Sequence, residues 1–224
     1  MASHSSLSPE DTLAAQAIYS PLVLALYDWW VLGISNRWIW RCPTPHLLAH
    51  FNRHITANHL DVGVGTGYFL DRAHFPSAMP RLALLDLNTD CLSMTAKRVA
   101  RYKPVLYHAN ILEPLNLETE GFDSISLNYV LHCLPGNMET KSSVFLHLKT
   151  VLNPGGVIFG STLLHDSRHN NWLAQTLMTA YNAKKIFSNK ADELEGLQQS
   201  LHQHFSESTV EVRGCVALFS GQIS

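Results

Sequence analysis

A glycine turn carries the strongest chemical signal in the sequence. It reads His59-Leu-Asp-Val-Gly-Val-Gly-Thr-Gly-Tyr68, so that Asp61 is followed by glycines at positions 63, 65 and 67. Glycine lets the backbone turn sharply and approach a ligand closely, and a helix that follows offers free N–H groups. The pattern predicts a cofactor site at the end of a strand; a purely structural turn is the alternative.

A dinucleotide site is the rival interpretation of this turn. The dinucleotide fingerprint places its third glycine three positions after the second. That position is Tyr68 here, and the third glycine, Gly67, comes one residue early. The spacing therefore disfavours a nicotinamide-dependent reductase.

The Asp-x-Gly-x-Gly-Thr-Gly pattern resembles motif I of the class I methyltransferases that use S-adenosylmethionine (SAM). The resemblance is to the small-molecule branch, of methyltransferase types 11 and 12, and it covers about residues 57–165. Four further segments match the family in the expected order: Leu82–Asp86, Ala109–Ile111, Phe122–Pro135 and Leu152–Val157.

This resemblance implies SAM as the cofactor and S-adenosylhomocysteine as its product. Asp86 stands where the family's acid binds both ribose hydroxyls, and a carboxylate there would repel a phosphate. Asn110 replaces the usual Asp beside the adenine amine, and its amide oxygen can still accept a hydrogen bond. The predicted cofactor residues are Asp61, Gly63, Gly65, Gly67, Asp86, Leu87, Asn88, Asn110, Ile111 and Asn128.

The acceptor is expected beside the fourth strand, because ligands of α/β sheets bind at the carboxyl ends of strands. Tyr129 and His132 are the candidates there. His132 is a candidate general base if the acceptor must lose a proton; a buried histidine bonded to backbone is the simpler interpretation. Methyltransferases of amide and nucleobase nitrogens carry an Asn/Asp-Pro-Pro-aromatic motif here. Asn-Tyr-Val-Leu, from Asn128, lacks both prolines, which favours an oxygen acceptor.

The first forty residues are rich in tryptophan and tyrosine. They predict an N-terminal helical cap whose aromatic residues form either its own core or an apolar wall for the acceptor. Tyr19 and Tyr27 are the candidate contacts, because a phenol can bond while its ring packs. Such a cap suits a small, hydrophobic, aromatic or polyketide-like acceptor, and it also permits a homodimer.

Strands and helices alternate through the rest of the chain, which predicts βαβ units and a mainly parallel sheet. The family resemblance implies a Rossmann-like α/β fold with seven strands. The predicted strands are His59–Val62, Leu82–Leu87, Val105–Ala109, Ser124–Leu127, Val157–Leu164 and a segment from Thr209 to Gln222. The predicted helices are Thr44–His54, Tyr68–His74, Thr89–Arg101, Met138–Leu152, Trp172–Phe187 and Glu193–His204. Gly214 marks a hairpin or a bulge. We expect a cap over residues 1–56 and a SAM-binding domain over 57–224.

Composition limits the partners. A net charge of -2 gives no basic excess for a nucleic acid. The apolar run Pro21–Ile34 is too short to span a bilayer and contains Asp28, and the polar N-terminus does not resemble a secretory signal. The four cysteines are far apart, and His165, Asp166 and His169 are too few for a metal site. We therefore expect a cytoplasmic protein without a metal.

The predicted function is methyl transfer from SAM to an oxygen of a small hydrophobic metabolite by in-line displacement, with a nitrogen or a carbon as the alternative acceptor atom. The alternative is a methyltransferase-like protein that binds SAM without transferring methyl, as a cyclase or an accessory protein does.

Overall fold

The computed structural model describes residues 35–117, 119–165 and 171–224. The predicted cap helices before residue 35 lie outside these ranges, as do Tyr19, Tyr27, Asp166 and His169.

Seven strands form a single sheet in the order β3-β2-β1-β4-β5-β7-β6. The first five strands pair in parallel, whereas β7 runs antiparallel to both β5 and β6. The prediction of a seven-stranded, mainly parallel sheet is thus confirmed. The strands are β1 (Asn58–Val62), β2 (Arg81–Asp86), β3 (Val105–His108), β4 (Phe122–Asn128), β5 (Leu152–Leu163), β6 (Glu207–Arg213) and β7 (Val216–Gln222).

Helices cover both faces of the sheet. Those described are α1 (Thr44–His54), α2 (Tyr68–Arg72), α3 (Thr89–Arg98), α4 (Met138–Lys141), α5 (Ser143–Lys149), α6 (Trp172–Ala183) and α7 (Leu194–His204). Leu60 and Val62 of β1 face the core shared with α4, α5 and α7, while α1, α2 and α3 pack on the opposite face. None of the helices in the described ranges has the length and apolarity needed to cross a membrane.

The predicted single helix over Met138–Leu152 is wrong, because the chain forms two short helices that meet at Ser142. The Ser143 hydroxyl donates to the Thr140 carbonyl at 2.8 Å, which competes with regular helical bonding. Strand β5 then begins at Leu152, five residues before the predicted Val157, and a register shift in its pairing with β4 accommodates the glycines.

The β segment near the C-terminus is a hairpin. Gly214 lies in its turn with φ of 58°, between β6 and β7. A Cβ at this position would lie 2.1 Å from the carbonyl oxygen of Trp40, so a side chain is excluded. The N–H of Cys215 donates to the same carbonyl at 2.8 Å. The hairpin therefore anchors the segment that leads into α1.

A third apolar cluster fills the space at the carboxyl ends of β4 and β5. It joins Trp40 and Leu47 from the N-terminal segment to Met178 of α6, Phe187 and Val216. Residues 35–56, which we assigned to the cap, therefore pack directly on the sheet domain.

A buried ion pair ties α4 to the chain after α6. The Lys141 ammonium donates to the Asp192 carboxylate at 2.6 Å and to the Ser188 carbonyl at 2.8 Å. Both charged side chains are fully buried. Such a pair contributes little net stability over an apolar pair, but losing one member leaves a buried charge without its partner.

Lys141→Met should therefore lower the free energy of unfolding by about 3–5 kcal/mol, measured by urea denaturation. The double variant Lys141→Met/Asp192→Leu should recover most of that loss. Arg213→Met is the control, because the pair of Arg213 with Glu211 is exposed and contributes about 0–1 kcal/mol. Equal losses in the Lys141 and Arg213 variants would contradict this account.

Candidate cofactor and acceptor site

The strand order reverses between β1 and β4, because β2 pairs with one edge of β1 and β4 pairs with its other edge. In open α/β sheets, ligands bind in the crevice beyond the carboxyl ends of the strands at this point. The glycine turn follows β1, Asp86 ends β2 and Asn128 ends β4. The structure thus brings the predicted cofactor residues to one edge of the sheet.

The three glycines of the turn all have positive φ, of 67°, 52° and 72°. A Cβ at Gly63 would lie 2.4 Å from a methyl of Val130, and one at Gly67 would lie 2.8 Å from a methyl of Thr95. A Cβ at Gly65 would meet nothing within 4 Å. The outer glycines are therefore required by packing, whereas Gly65 faces open space that a cofactor can occupy.

Helix α3 holds the glycine turn in place. The Thr95 hydroxyl donates to the Gly65 carbonyl at 3.1 Å, and the Arg98 guanidinium donates to the Thr66 carbonyl at 3.0 Å. Arg98 also pairs with Asp71 of α2 at 3.2 Å. Thr95 and Arg98 were not among the residues predicted from the sequence, and they fix the turn before a ligand arrives.

Two carboxylates face the site: Asp61 is buried and Asp86 is half-buried. Burial raises the pKa of Asp61 to about 7; the Ser126 hydroxyl, which donates to it, opposes this, and the nearby Asp86 adds to it. Burial also raises the pKa of Asp86, although the N–H groups of Asn88, Gly65 and neighbouring residues oppose the shift. In the described part of the chain, neither carboxylate forms an ion pair. The site is therefore suited to a cationic ligand.

Two predicted cofactor residues use their side chains locally. The Asn88 oxygen caps α3, accepting from the N–H groups of Asp90 and Cys91. The Asn110 oxygen accepts from the Leu112 N–H at 3.1 Å, and its amide group donates to a neighbouring glutamate. A bond from adenine to Asn110 would have to use the second lone pair of this oxygen.

Leu87 and Ile111 complete the predicted cofactor set at this edge. The Leu87 carbonyl lies 2.9 Å from the His108 ring, and the carbonyl of the buried Ile111 lies 3.0 Å from the His147 ring. Their backbone positions are thereby fixed beside the crevice.

The end of β4 carries a polar atom without a partner. The Asn128 oxygen lies 3.2 Å from the Ser161 hydroxyl, which donates to it. Its Nδ2 is buried and has no hydrogen-bond partner among the residues described. A buried donor without a partner costs about 1–3 kcal/mol, so we predict that this amide donates to a ligand.

Tyr129 adopts φ of 58°, a left-handed conformation that costs about 1–2 kcal/mol for a residue with a side chain. Its hydroxyl donates to the Asn36 oxygen at 2.8 Å, and Asn36 donates in turn to Thr44 at 3.0 Å. Such strain is often found at functional sites. Tyr129 therefore connects the site to the N-terminal segment.

His132 is buried, with 2% of its surface exposed. Its Nδ1 accepts from the Leu163 N–H at 3.4 Å and lies 3.5 Å from the Thr162 hydroxyl. Burial, and then the charge of Lys141, lowers its pKa to about 3. This geometry favours the buried, backbone-bonded histidine over the general base.

An aromatic cluster lies beside Asn128. The His132 ring meets Phe187 edge-on at 4.6 Å between centroids and Tyr129 at 5.7 Å. Tyr181 of α6 and Trp40 approach Phe187 at 4.9 and 6.3 Å. Phe187, Tyr181 and Trp40 were not among the predicted site residues.

Known proteins share this sequence and architecture. A family model described as "Methyltransferase domain" matches residues 60–158. The physcion biosynthesis cluster O-methyltransferase of Aspergillus chevalieri is 40% identical over 205 residues, 91% of this chain and 92% of that protein. The demethylluteothin O-methyltransferase of Streptomyces thioluteus is 36% identical over 213 residues, 95% of this chain and 93% of that protein.

The chain belongs to the class I SAM-dependent methyltransferases. In fold it is similar to the N-methyltransferase NodS from Bradyrhizobium japonicum WM9, solved with S-adenosylhomocysteine. That match has a TM-score of 0.62 at 16% identity and covers 95% of this chain and 98% of the other. The protein is thus an enzyme that transfers methyl groups to small molecules, and the alternative of a non-transferring relative is not supported.

The residues at the sheet edge fit SAM as the cofactor. Gly65 leaves open space, Asp61 and Asp86 suit a cationic ligand, and the Asn128 amide has a free donor. We predict that Asp86 holds the ribose and that Asp61 lies near the positive charge.

Asp86→Asn tests the ribose contact. It keeps the shape of the side chain but removes the charge, so we expect the affinity for SAM to fall about 10- to 100-fold, measured by calorimetry. Asp90→Asn, an exposed change of the same charge at the start of α3, should leave the affinity within about twofold. If both variants bind like the wild type, Asp86 does not contact the cofactor.

Proposed function

We propose that the enzyme methylates a hydroxyl of an aromatic metabolite. The observation that carries this proposal is the aromatic cluster of Tyr129, His132, Phe187, Tyr181 and Trp40, whose Tyr129 directly follows Asn128 at the end of β4. Aromatic side chains favour offset or edge-on contacts with a flat ring. Two relatives that match almost the whole chain are named O-methyltransferases, which supports an oxygen acceptor.

SAM supplies a methyl group that is already activated for displacement. The protein must therefore position the acceptor oxygen in line with that methyl and keep water out, which can supply much of the rate enhancement. The proposed roles follow from position: Asp61 and Asp86 orient the cofactor, and the Asn128 amide donates to an oxygen or carboxylate of a ligand.

A phenolic acceptor does not require a general base. A phenolic hydroxyl has a pKa near 10, far below that of an aliphatic alcohol, and it becomes more acidic as its oxygen bonds to the methyl. We propose that the proton passes to a water molecule on the side of the acceptor oxygen away from the methyl group, and that His132 forms part of the apolar wall. Its low pKa and its bond to the backbone support this role.

His132→Gln distinguishes a wall from a base. Loss of a general base costs about 10²- to 10⁴-fold in rate, whereas a repacked wall should cost less than about tenfold in kcat and act mainly on KM. His50→Gln is the matched control, because His50 is also a buried histidine of low pKa but lies on α1. A loss of kcat above about 100-fold that is confined to His132→Gln would make it the base.

The acceptor atom can be read directly. With SAM carrying a ¹³C-methyl group, 1-naphthol and 1-naphthylamine present the same ring with oxygen or nitrogen. We expect label on the naphthol oxygen, shown by the chemical shift of the methyl carbon, together with equimolar S-adenosylhomocysteine. Label found only on the amine would contradict the proposal.

A further inference from the structure

A line of polar side chains runs through the core beneath the cofactor site. His59 and Asp61 of β1 lie opposite Ser124 and Ser126 of β4 in register. All four are buried, and they share the sheet face that α1, α2 and α3 cover. Leucines of β2 occupy the neighbouring positions on that face, so apolar side chains would satisfy packing here. The polar residues therefore call for another explanation.

Hydrogen bonds connect these residues into a chain. The Ser126 hydroxyl bonds to the Asp61 carboxylate, and Nε2 of His59 lies 3.0 Å from the same hydroxyl. Nδ1 of His59 lies 2.8 Å from the Ser124 hydroxyl. The Thr56 N–H, at the opposite end of β1, donates to Ser124 at 3.0 Å.

Only one set of bond directions is compatible with an ionised Asp61. A carboxylate accepts only, so Ser126 must donate its hydroxyl proton to Asp61. Ser126 must then accept from His59, which places the ring proton on Nε2 and leaves Nδ1 to accept from Ser124. Burial lowers the pKa of His59 to about 3, so the ring is neutral, and this tautomer satisfies its bonds to both serines.

Among the described residues, the rings that pack on His59 are all apolar. Phe51 of α1, Phe75 and Phe159 of β5 pack around the His59 ring. His50 and His54 of α1 contact Phe159. Asp86 of β2 is the charged group that acts on Asp61.

We propose that His59 is a positioning residue for the cofactor: through Ser126 it holds the Asp61 carboxylate in one orientation and in its ionised form. The inference rests on the proposed placement of SAM beside Asp61. A hydroxyl that accepts a bond from His59 donates more strongly to Asp61, because linked hydrogen bonds polarise one another. Asp61 can then present a negative charge to the cofactor although its side chain is buried.

The direction of the pH effect follows from this role. If binding requires ionised Asp61, the affinity for SAM rises with pH up to the pKa of Asp61, near 7, and is level above it. Below that pKa, each pH unit costs up to about tenfold. The hydrogen bond from Ser126 lowers the pKa of Asp61. Weakening that bond must therefore move the midpoint of the affinity curve to higher pH.

Calorimetry with SAM between pH 6 and 8.5 tests the proposal on the full chain. For Ser126→Ala and His59→Leu we expect an affinity about 5- to 30-fold weaker at neutral pH, and a midpoint about one pH unit higher. His59→Gln, whose amide nitrogen can replace Nε2, should restore both values to near those of the wild type. Ser126→Ala removes one oxygen atom and keeps the measurement available if His59→Leu does not fold.

His50→Leu is the matched control, since His50 is buried on the same face and bonds to the Phe219 carbonyl without touching Asp61. A merely structural role predicts that His59→Leu lowers stability as His50→Leu does and leaves the pH midpoint unchanged; that result would overturn the proposal. Asp61→Asn separates the two levels of the argument. If it leaves binding unchanged, the placement of SAM itself is wrong; if it weakens binding while the His59 and Ser126 variants do not, only the role of His59 fails.

Discussion

Two carboxylates at the ends of adjacent strands, one buried and one half-buried and without a cation beside them in the described structure, govern the organisation of this methyltransferase. Asp61 and Asp86 repel one another and are both desolvated, so each depends on the dipoles around it. Backbone N–H groups supply these dipoles at Asp86, and Ser126 supplies one at Asp61. The glycine turn, which α3 holds in place, supplies some of those N–H groups. A cationic cofactor would offset the negative charge of the two carboxylates.

The acceptor side depends on packing across distant parts of the chain. Tyr129 has a strained backbone conformation directly after β4. Its hydroxyl donates to Asn36 in the segment that leads into α1. Trp40 from that segment and Phe187 from beyond α6 meet in the same cluster. The predicted cofactor residues thus come from the strand ends, while the proposed acceptor wall comes from segments that are far apart in the chain.

The sheet and the cofactor edge could be predicted because their signals are local: the glycine turn, Asp86 and the apolar strands each lie within a few residues. The line from His59 to Ser124 could not, because it depends on a register between strands some 65 residues apart. Phe187 was missed because its contacts with His132 and Trp40 join segments that are far apart in the chain. Asn88 was assigned to the cofactor although its oxygen caps α3, since one pattern serves both purposes. The break at Ser142 escaped detection because helical periodicity continues across it.

A crystal structure of the complex with S-adenosylhomocysteine tests the central claim most directly. We expect both ribose hydroxyls to lie within hydrogen-bonding distance of the Asp86 carboxylate. The bound ligand should pass over Gly65, and the Asn128 amide should donate to it. The amino group should lie on the side of Asp61. A ligand whose ribose lies away from Asp86, or whose path over the turn avoids Gly65, would contradict the site described for this enzyme.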